Sequence, residues 1–314
     1  MIQAVPEQDR STFRDMVNAA GISKSILARH FKTGTIERRS SRLKPLLTKD
    51  NRLERLAFCG AHVKMNLEAP THLNPCLTSS VGEDAPDKKK TYVVPGQDPA
   101  RRVCKTKRFV PKVMFLAAVA RPRPEEGFDG KIGTMVTTLV NVDGATYRDF
   151  VLHQVVPAIK SRFPSKTKRV FLQHDNATPH ATIDDGVLAE VSTDGWVFMV
   201  RRQPPNSPDF NVLDLGFLAS IQALQYKTFS RSVDDVISST LCAFEALRVE
   251  TLGNVFLTLQ AIMRQILEHD GNNDFKIPHM KKDTLRRCGS LMANFTCPVS
   301  LLLRANSVLQ QSNP

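Results

Sequence analysis

Two aspartates stand in settings that suit metal-dependent phosphoryl transfer. Asp175 follows Val170–Leu172, an apolar run closed by turn residues, so we expect it just past the carboxyl end of a buried strand. Asp214 follows a second strand-like run, Trp196–Val200, and precedes apolar residues at helical spacing, which predicts a place in the first turn of a helix. Carboxylate oxygens bind Mg²⁺ or Mn²⁺. From residue types alone, the alternative is that Asp175 only forms a turn and that Asp214 only caps a helix.

The segments that must position these aspartates alternate between strand and helix patterns. An apolar run over 113–120 predicts a central strand, and Thr91–Val94 predicts a short strand before it. Thr146 and Asp149 have the spacing of a capping box and predict a helix start, as does Ser232 further along the chain. This alternation is typical of an α/β domain.

The two acidic segments resemble the second and third acidic boxes of mariner-like transposases. The matching segments are Gln173–His180 and Gln203–Phe217, and the branch of plants and oomycetes, with an aspartate in the third box, is the most similar. Three further segments match in the same order: Lys112–Arg123, Phe128–Gly133 and Lys276–Asp283. The resemblance covers nearly the whole chain.

This resemblance implies a fold, a reaction and a set of site residues. The fold is α/β, a ribonuclease-H-like mixed-sheet catalytic domain preceded by a small all-α helix-turn-helix domain. The reaction is cleavage and strand transfer at transposon ends with Mg²⁺ or Mn²⁺, performed by a homodimer on terminal-repeat and target DNA. Asp175 and Asp214 match the catalytic, metal-binding carboxylates, and we expect Asn176 and His180 to position the first of them.

The family's first acidic box has no counterpart in this chain. Relatives have a strand that ends in Asp-Glu-Lys-Trp, whose aspartate is the first metal ligand. Here the corresponding residues are rich in proline and lack periodicity, so we expect an irregular linker over 63–90, with the first strand degraded or missing. Asp84 is a candidate third ligand only if this segment folds back into the sheet. We therefore expect impaired catalysis.

The N-terminal residues have the pattern of two short helices joined by a glycine-containing turn, Gly21. Ser11 and Ser23 are candidate caps, and the second helix presents exposed polar residues to a partner. Its candidate DNA contacts are Lys24, Ser25, Arg29 and His30. The alternative is an ordinary helical hairpin with a solvated face, and the family resemblance favours the helix-turn-helix, since mariner-like transposases bind their terminal repeats through such units.

The charge of the chain indicates a polyanionic partner. The 314 residues have a formal net charge of +12, and residues 1–64 alone contain 13 Lys and Arg against 6 Asp and Glu. Further candidate phosphate contacts are Arg38, Arg39, Arg42, Lys105, Lys107 and Arg108. No apolar run reaches the roughly 18 residues of a membrane span. With no secretory signal pattern and six scattered cysteines, we expect a nuclear protein that is not secreted.

These observations predict four segments and one main function. The segments are a DNA-binding domain with a linker helix over 1–62, the irregular linker over 63–90, the ribonuclease-H-like domain over 91–290 and a C-terminal tail over 291–314. The function is that of a mariner-like transposase or its remnant, which binds transposon-end DNA and cleaves it only if a third carboxylate is supplied. The alternatives are a catalytically inactive, sequence-specific DNA-binding protein and a ribonuclease-H-like nuclease with other substrates.

Overall fold

The computed structural model describes residues 5–6, 13–36, 44–63, 76–80, 114–137, 142–225, 228 and 232–312. The chain forms two compact units, Met1–Lys44 and Pro45–Pro314. The predicted strand at Thr91–Val94 and the predicted cap at Ser11 lie outside the described residues.

The first unit contains the two predicted helices, α1 (Phe13–Ala20) and α2 (Lys24–Lys32). Gly21 turns the chain between them with a φ of 64°, a left-handed conformation that glycine adopts at little cost. The Ser23 side chain accepts a hydrogen bond from the Ile26 N–H at 3.3 Å and caps α2. The glycine turn and the serine cap were both correctly predicted because each acts through local geometry.

The second unit is built around a five-stranded mixed sheet with the strand order β3-β2-β1-β4-β5. Strands β1, β2 and β3 are antiparallel neighbours, whereas β4 and β5 run parallel to β1. The strands are β1 (Cys76–Ser80), β2 (Met114–Val119), β3 (Lys131–Thr137), β4 (Arg169–His174) and β5 (Val197–Arg202). The predicted mixed-sheet α/β fold is therefore confirmed.

Strand β1 corrects the expectation of an irregular linker over 63–90. Cys76–Ser80 forms the central strand of the sheet, with β2 on one side and β4 on the other. Its sequence, Cys-Leu-Thr-Ser-Ser, has no apolar run and little hydrophobic alternation, so local patterns did not predict a strand. Pairing with two neighbouring strands supplies the backbone hydrogen bonds that define it.

Helices cover both faces of the sheet. On one face, α4 (Gly144–Phe150) continues through a π-helical turn (Val151–Val155) into α5 (Val156–Arg162), and α6 (Asp185–Val191) lies beside them. The other face packs against helices from both ends of this unit. They are α3 (Lys49–His62), α7 (Leu218–Gln225), α8 (Val233–Ala246), α9 (Val249–Glu268) and α11 (Val299–Gln311), and the short α10 (Lys282–Arg287) precedes the last of them.

The structure corrects three further expectations. The chain divides after Lys44 and not after residue 62, because α3 packs on α9 and α11. Residues 291–314 are not simply a tail, since α11 buries Leu302 and Ala305. The helix predicted to start at Thr146 is capped by Asp143, whose carboxylate accepts from the Thr146 N–H at 2.8 Å. A capping side chain precedes the amides it binds.

Within the described ranges, no helix combines the length and apolar character that crossing a bilayer requires.

Candidate functional site

Asp175 is the first residue after β4, as the sequence predicted. Its Oδ1 accepts a hydrogen bond from the Ala177 N–H at 3.0 Å and lies 2.6 Å from His180 Nδ1. Because a carboxylate only accepts hydrogen bonds, Nδ1 carries the proton and donates to it. Desolvation opposes ionisation of Asp175, but the hydrogen bonds from His180 and Ala177 outweigh it and hold the pKa below its ordinary value.

Aromatic packing holds His180 in this position. The centroid of the Tyr147 ring, from α4, lies 4.2 Å from that of the His180 ring, and the His174 ring stacks on the His180 ring at 5.4 Å between centroids. All three side chains are buried. Burial lowers the pKa of His174 to about 4, so this imidazole is neutral at physiological pH. The cluster orients the loop that bears Asp175.

Asp214 lies in a π-helical turn (Leu213–Phe217) that leads into α7. Its Oδ2 accepts a hydrogen bond at 2.9 Å from Asn211 Nδ2, while Asn211 Oδ1 caps the turn by accepting from the Leu213 N–H. Although Asp214 reaches solvent, desolvation raises its pKa above the ordinary value. The negative charge of Asp175 raises the pKa further, and the Asn211 hydrogen bond opposes both effects.

The effect of the Asp175 charge on the pKa of Asp214 indicates an electrostatic interaction between the two carboxylates. Gln173 supplies a direct connection between their elements, because its buried Nε2 donates at 3.0 Å to the Phe210 carbonyl, just before Asn211. The end of β4 and the start of the Asp214 helix are therefore fixed to each other by a buried hydrogen bond. Strand-end and helix-start placement was predicted for these two residues, and the structure has both.

Sequence reasoning missed Arg55, which is fully buried in α3. Its two terminal nitrogens each lie 2.7 Å from an oxygen of Asp209, and its Nε donates to the Gly271 carbonyl at 2.9 Å. The guanidinium also lies 5.0 Å from the centroid of the Phe210 ring. A charged residue on an apolar helix face was the available signal, but it does not identify a partner 154 positions away. We call this pair the Arg55–Asp209 clamp.

The other predicted contact residues have separate positions. Asn176 is exposed, and its Nδ2 donates at 2.8 Å to the Gln203 carbonyl, which connects the loops after β4 and β5. Lys24, Ser25, Arg29 and His30 are exposed on α2 in the first unit. The remaining candidates lie outside the described residues: Arg38, Arg39, Arg42, Asp84, Lys105, Lys107 and Arg108.

The donor set does not fit a complete two-metal centre. In the described parts of the chain, no three or more His, Cys, Asp or Glu side chains are grouped so that they could hold a metal ion. Strand β1, which lies directly beside β4, contains no acidic residue. Two ions placed to stabilise both oxygens of a displacement need more negative charge than Asp175 and Asp214 supply.

The fold is similar to that of solved mariner transposase complexes. Over 88% of this chain and 79% of the other, it matches the Mos1 mariner paired-end complex with Mg at 20% identity and a TM-score of 0.62, and the paired-end complex with Mn at 20% and 0.61. The Mos1 strand transfer complex matches 88% of this chain and 78% of the other at 19% identity, with a TM-score of 0.59. No protein-family model and no curated protein sequence matches. The chain therefore has the fold of the Mos1 mariner transposase.

Proposed function

We propose that the chain is a mariner-like transposase, or a remnant of one, that binds transposon-end DNA. The observation that carries this proposal is the link between Asp175, which follows β4, and Asp214, at the start of a helix, through the Gln173–Phe210 hydrogen bond, in a chain with the fold of Mos1 transposase complexes. The neighbouring structures include a paired-end complex with a left transposon end and a strand transfer complex. Asp175 and Asp214 are the proposed metal-binding residues, with Asn176 and His180 as positioning residues.

The first unit is the proposed reader of the DNA ends. Its second helix exposes two cations and two hydrogen-bonding side chains, Lys24, Arg29, Ser25 and His30, on one short segment. Lysine and arginine neutralise phosphates, and side chains of these types contact base edges when a helix enters the major groove. The excess of basic residues over 1–64 supports the same assignment.

Cleavage of DNA has less support than binding of DNA. The central strand β1 has no carboxylate to add to Asp175 and Asp214, so Mg²⁺-dependent or Mn²⁺-dependent cleavage requires a third acidic ligand from elsewhere. This feature favours the alternative function, a catalytically inactive, sequence-specific DNA-binding protein derived from a transposase. A ribonuclease-H-like nuclease with other substrates has less support, because the same missing carboxylate would impair it too.

The partners follow from the same proposal. Duplex DNA of the terminal repeats and the target is the proposed ligand, and a homodimer is the proposed assembly, because two ends are held together in the paired-end complexes of the structural relatives. A nuclear location is the setting in which such a protein meets its DNA.

Exchanging Lys24 and Arg29 for alanine is expected to weaken binding of the full-length protein to its native ends more than to random duplex DNA. Loss of a base-edge contact costs about 1–3 kcal/mol at the native site only, and each lost phosphate contact lowers the salt slope by about one unit on either DNA. Fluorescence anisotropy over a salt series measures both quantities.

The matched control exchanges Lys166 and Arg169 for alanine. Both residues are exposed in the second unit, and their loss changes the net charge by the same amount. We expect this variant to retain its preference for the native ends. If the Lys24/Arg29 variant loses equal affinity for native and random DNA, α2 does not read sequence.

A further inference from the structure

The segment over 276–287, which contains α10, is strongly basic. It contains five Lys and Arg against one Asp, a net charge of +4. Lys276, Lys281 and Arg287 are exposed, and among the described residues no carboxylate pairs with any of the three. The two hydrogen bonds of the Arg287 guanidinium go to a backbone carbonyl and a hydroxyl of its own helix. A basic surface without acidic counter-charges favours a polyanionic partner. We call these exposed cations the α10 surface.

Two other cations of the segment hold α10 on α9. Lys282 Nζ donates to the Asn254 carbonyl at 2.7 Å and also donates to the Thr258 hydroxyl. Arg286 Nη2 donates to Asn254 Oδ1 at 2.6 Å. Both cationic side chains are half-buried. These bonds fix the helix, so the α10 surface has a defined position on the second unit.

Helix α9 connects the α10 surface to the turn that bears Asp214. Val255 directly follows Asn254 and packs on this turn, because a Cβ at Gly216 would lie 3.2 Å from Val255 Cγ2. Gly216 follows Asp214 by two residues in the same π-helical turn. The same stretch of α9 therefore contacts the Asp214 turn and holds α10.

The backbone of Lys281 gives independent support for a role of its side chain outside the fold. Lys281 precedes α10 with a φ of 45° and a ψ of 47°, a left-handed conformation that costs free energy for a residue with a Cβ. Lys168 adopts a similar φ of 51°, but its Nζ donates to the Asp194 carbonyl at 2.9 Å. Among the described residues, Lys281 Nζ has no such acceptor. Stability alone therefore favours glycine at position 281.

We propose that the α10 surface binds phosphates of the DNA held at the candidate site, with Lys281 and Arg287 as the contacts. Duplex DNA carries one negative charge per about 1.7 Å of its axis, so a fixed group of cations meets several phosphates without reading sequence. The same anchoring residue, Asn254, relates these contacts to the Asp214 turn. The inference rests on the proposed DNA partner but not on recognition by α2.

The test is the salt dependence of DNA binding by the full-length protein, measured by fluorescence anisotropy on native ends and on random duplex DNA. The double variant Lys281→Gly/Arg287→Gln is expected to lower the slope of the logarithm of the binding constant against the logarithm of the salt concentration by about two units. Each lost phosphate contact removes about 0.9 of a unit. Affinity should fall by the same factor on both DNAs, because phosphate contacts carry no sequence information.

The matched control is the Lys166→Ala/Arg169→Ala variant, which removes the same charge at the start of β4, whereas Asp175 follows the end of that strand. Its salt slope should remain almost that of the wild type. Lys281→Gly alone is expected to keep or raise the melting temperature, because glycine adopts the left-handed backbone at little cost. A loss of DNA affinity in this variant is then not a loss of folding.

A double variant that binds both DNAs with the salt slope of the wild type would overturn the inference. A change in the oligomeric state of the DNA-free double variant, measured by light scattering, with unchanged DNA binding would also overturn it, because the surface would then contact another copy of the chain. An equal fall of the salt slope in the Lys166/Arg169 control would show a general charge effect and remove the assignment to α10.

This test and that of the proposed function fail separately. If the wild type shows no preference for its native ends, end recognition fails, while the slope on random duplex DNA still tests the α10 surface. If the wild type prefers its native ends and the Lys281/Arg287 variant keeps the full salt slope, the proposed function stands and the α10 surface is not a DNA contact.

Discussion

Incubated with Mg²⁺ or Mn²⁺ and a plasmid that carries the inverted terminal repeats of its element, the protein is expected to bind the ends without excising them. Asp175 and Asp214 are the only two carboxylates that the described residues bring to the candidate site, and the sequence of β1 contains no acidic residue. Each missing contact to charge that develops in a transition state costs about 10²–10³ in rate. Gel analysis of the plasmid for nicks, breaks and excised product measures the outcome.

Asp175→Ala is the control for this experiment. If the wild-type protein excises the element and Asp175→Ala does not, the expectation is wrong and the chain is an active transposase. The search for its third ligand would then move to Glu83 and Asp84, which follow β1 in sequence and lie outside the described residues. Binding without nicking in both proteins would favour the inactive DNA-binding function.

Replacement of Arg55 by alanine is expected to lower the free energy of unfolding of the second unit by about 3–5 kcal/mol. Removal of one partner from a buried ion pair leaves the other charge without compensation in a desolvated place. Arg55 is fully buried, and its alanine variant would leave Asp209 and the Gly271 carbonyl without their donors. Urea denaturation followed by circular dichroism measures the loss.

A partly exposed ion pair provides the control for the Arg55–Asp209 clamp. Arg264 Nε lies 2.8 Å from Glu268 Oε1 within one helix, and both side chains reach solvent. Glu268→Gln is expected to cost less than about 1 kcal/mol, because water and salt screen such pairs. A loss of similar size in Arg55→Ala would show that the clamp contributes little. The double variant Arg55→Met/Asp209→Leu should lose less than the two single variants together, since neither charge remains unpaired.

The Arg55–Asp209 clamp also holds the segment that leads into the candidate site. Asp209 and Phe210 belong to a short 3-10 helix (Pro208–Phe210) that precedes Asn211, the residue that holds the Asp214 carboxylate. Gly271 has a φ of 82°, and a Cβ at this position would lie 2.2 Å from the Arg52 carbonyl oxygen. Only glycine allows the backbone to approach α3 so closely. Helix α3 is therefore part of the structure that fixes Asp214.

The sequence by itself determined the features that depend on neighbouring residues. Ser23, Thr48 and Ser232 cap their helices because each hydroxyl binds an amide three residues away. The strands β2 and β4 were predicted because buried strands are rich in apolar residues, and both segments contain an apolar run. Asp175 and Asp214 were located at a strand end and a helix start by the same local patterns.

Only the tertiary structure decided the features that join distant segments. β1 is polar, and its pairing with β2 and β4 makes it a strand. Arg55 and Asp209 meet across 154 positions, and α11 packs on α3 from the opposite end of the second unit. Hydrogen-bond pairing between strands and burial of a charge depend on partners that local sequence does not identify.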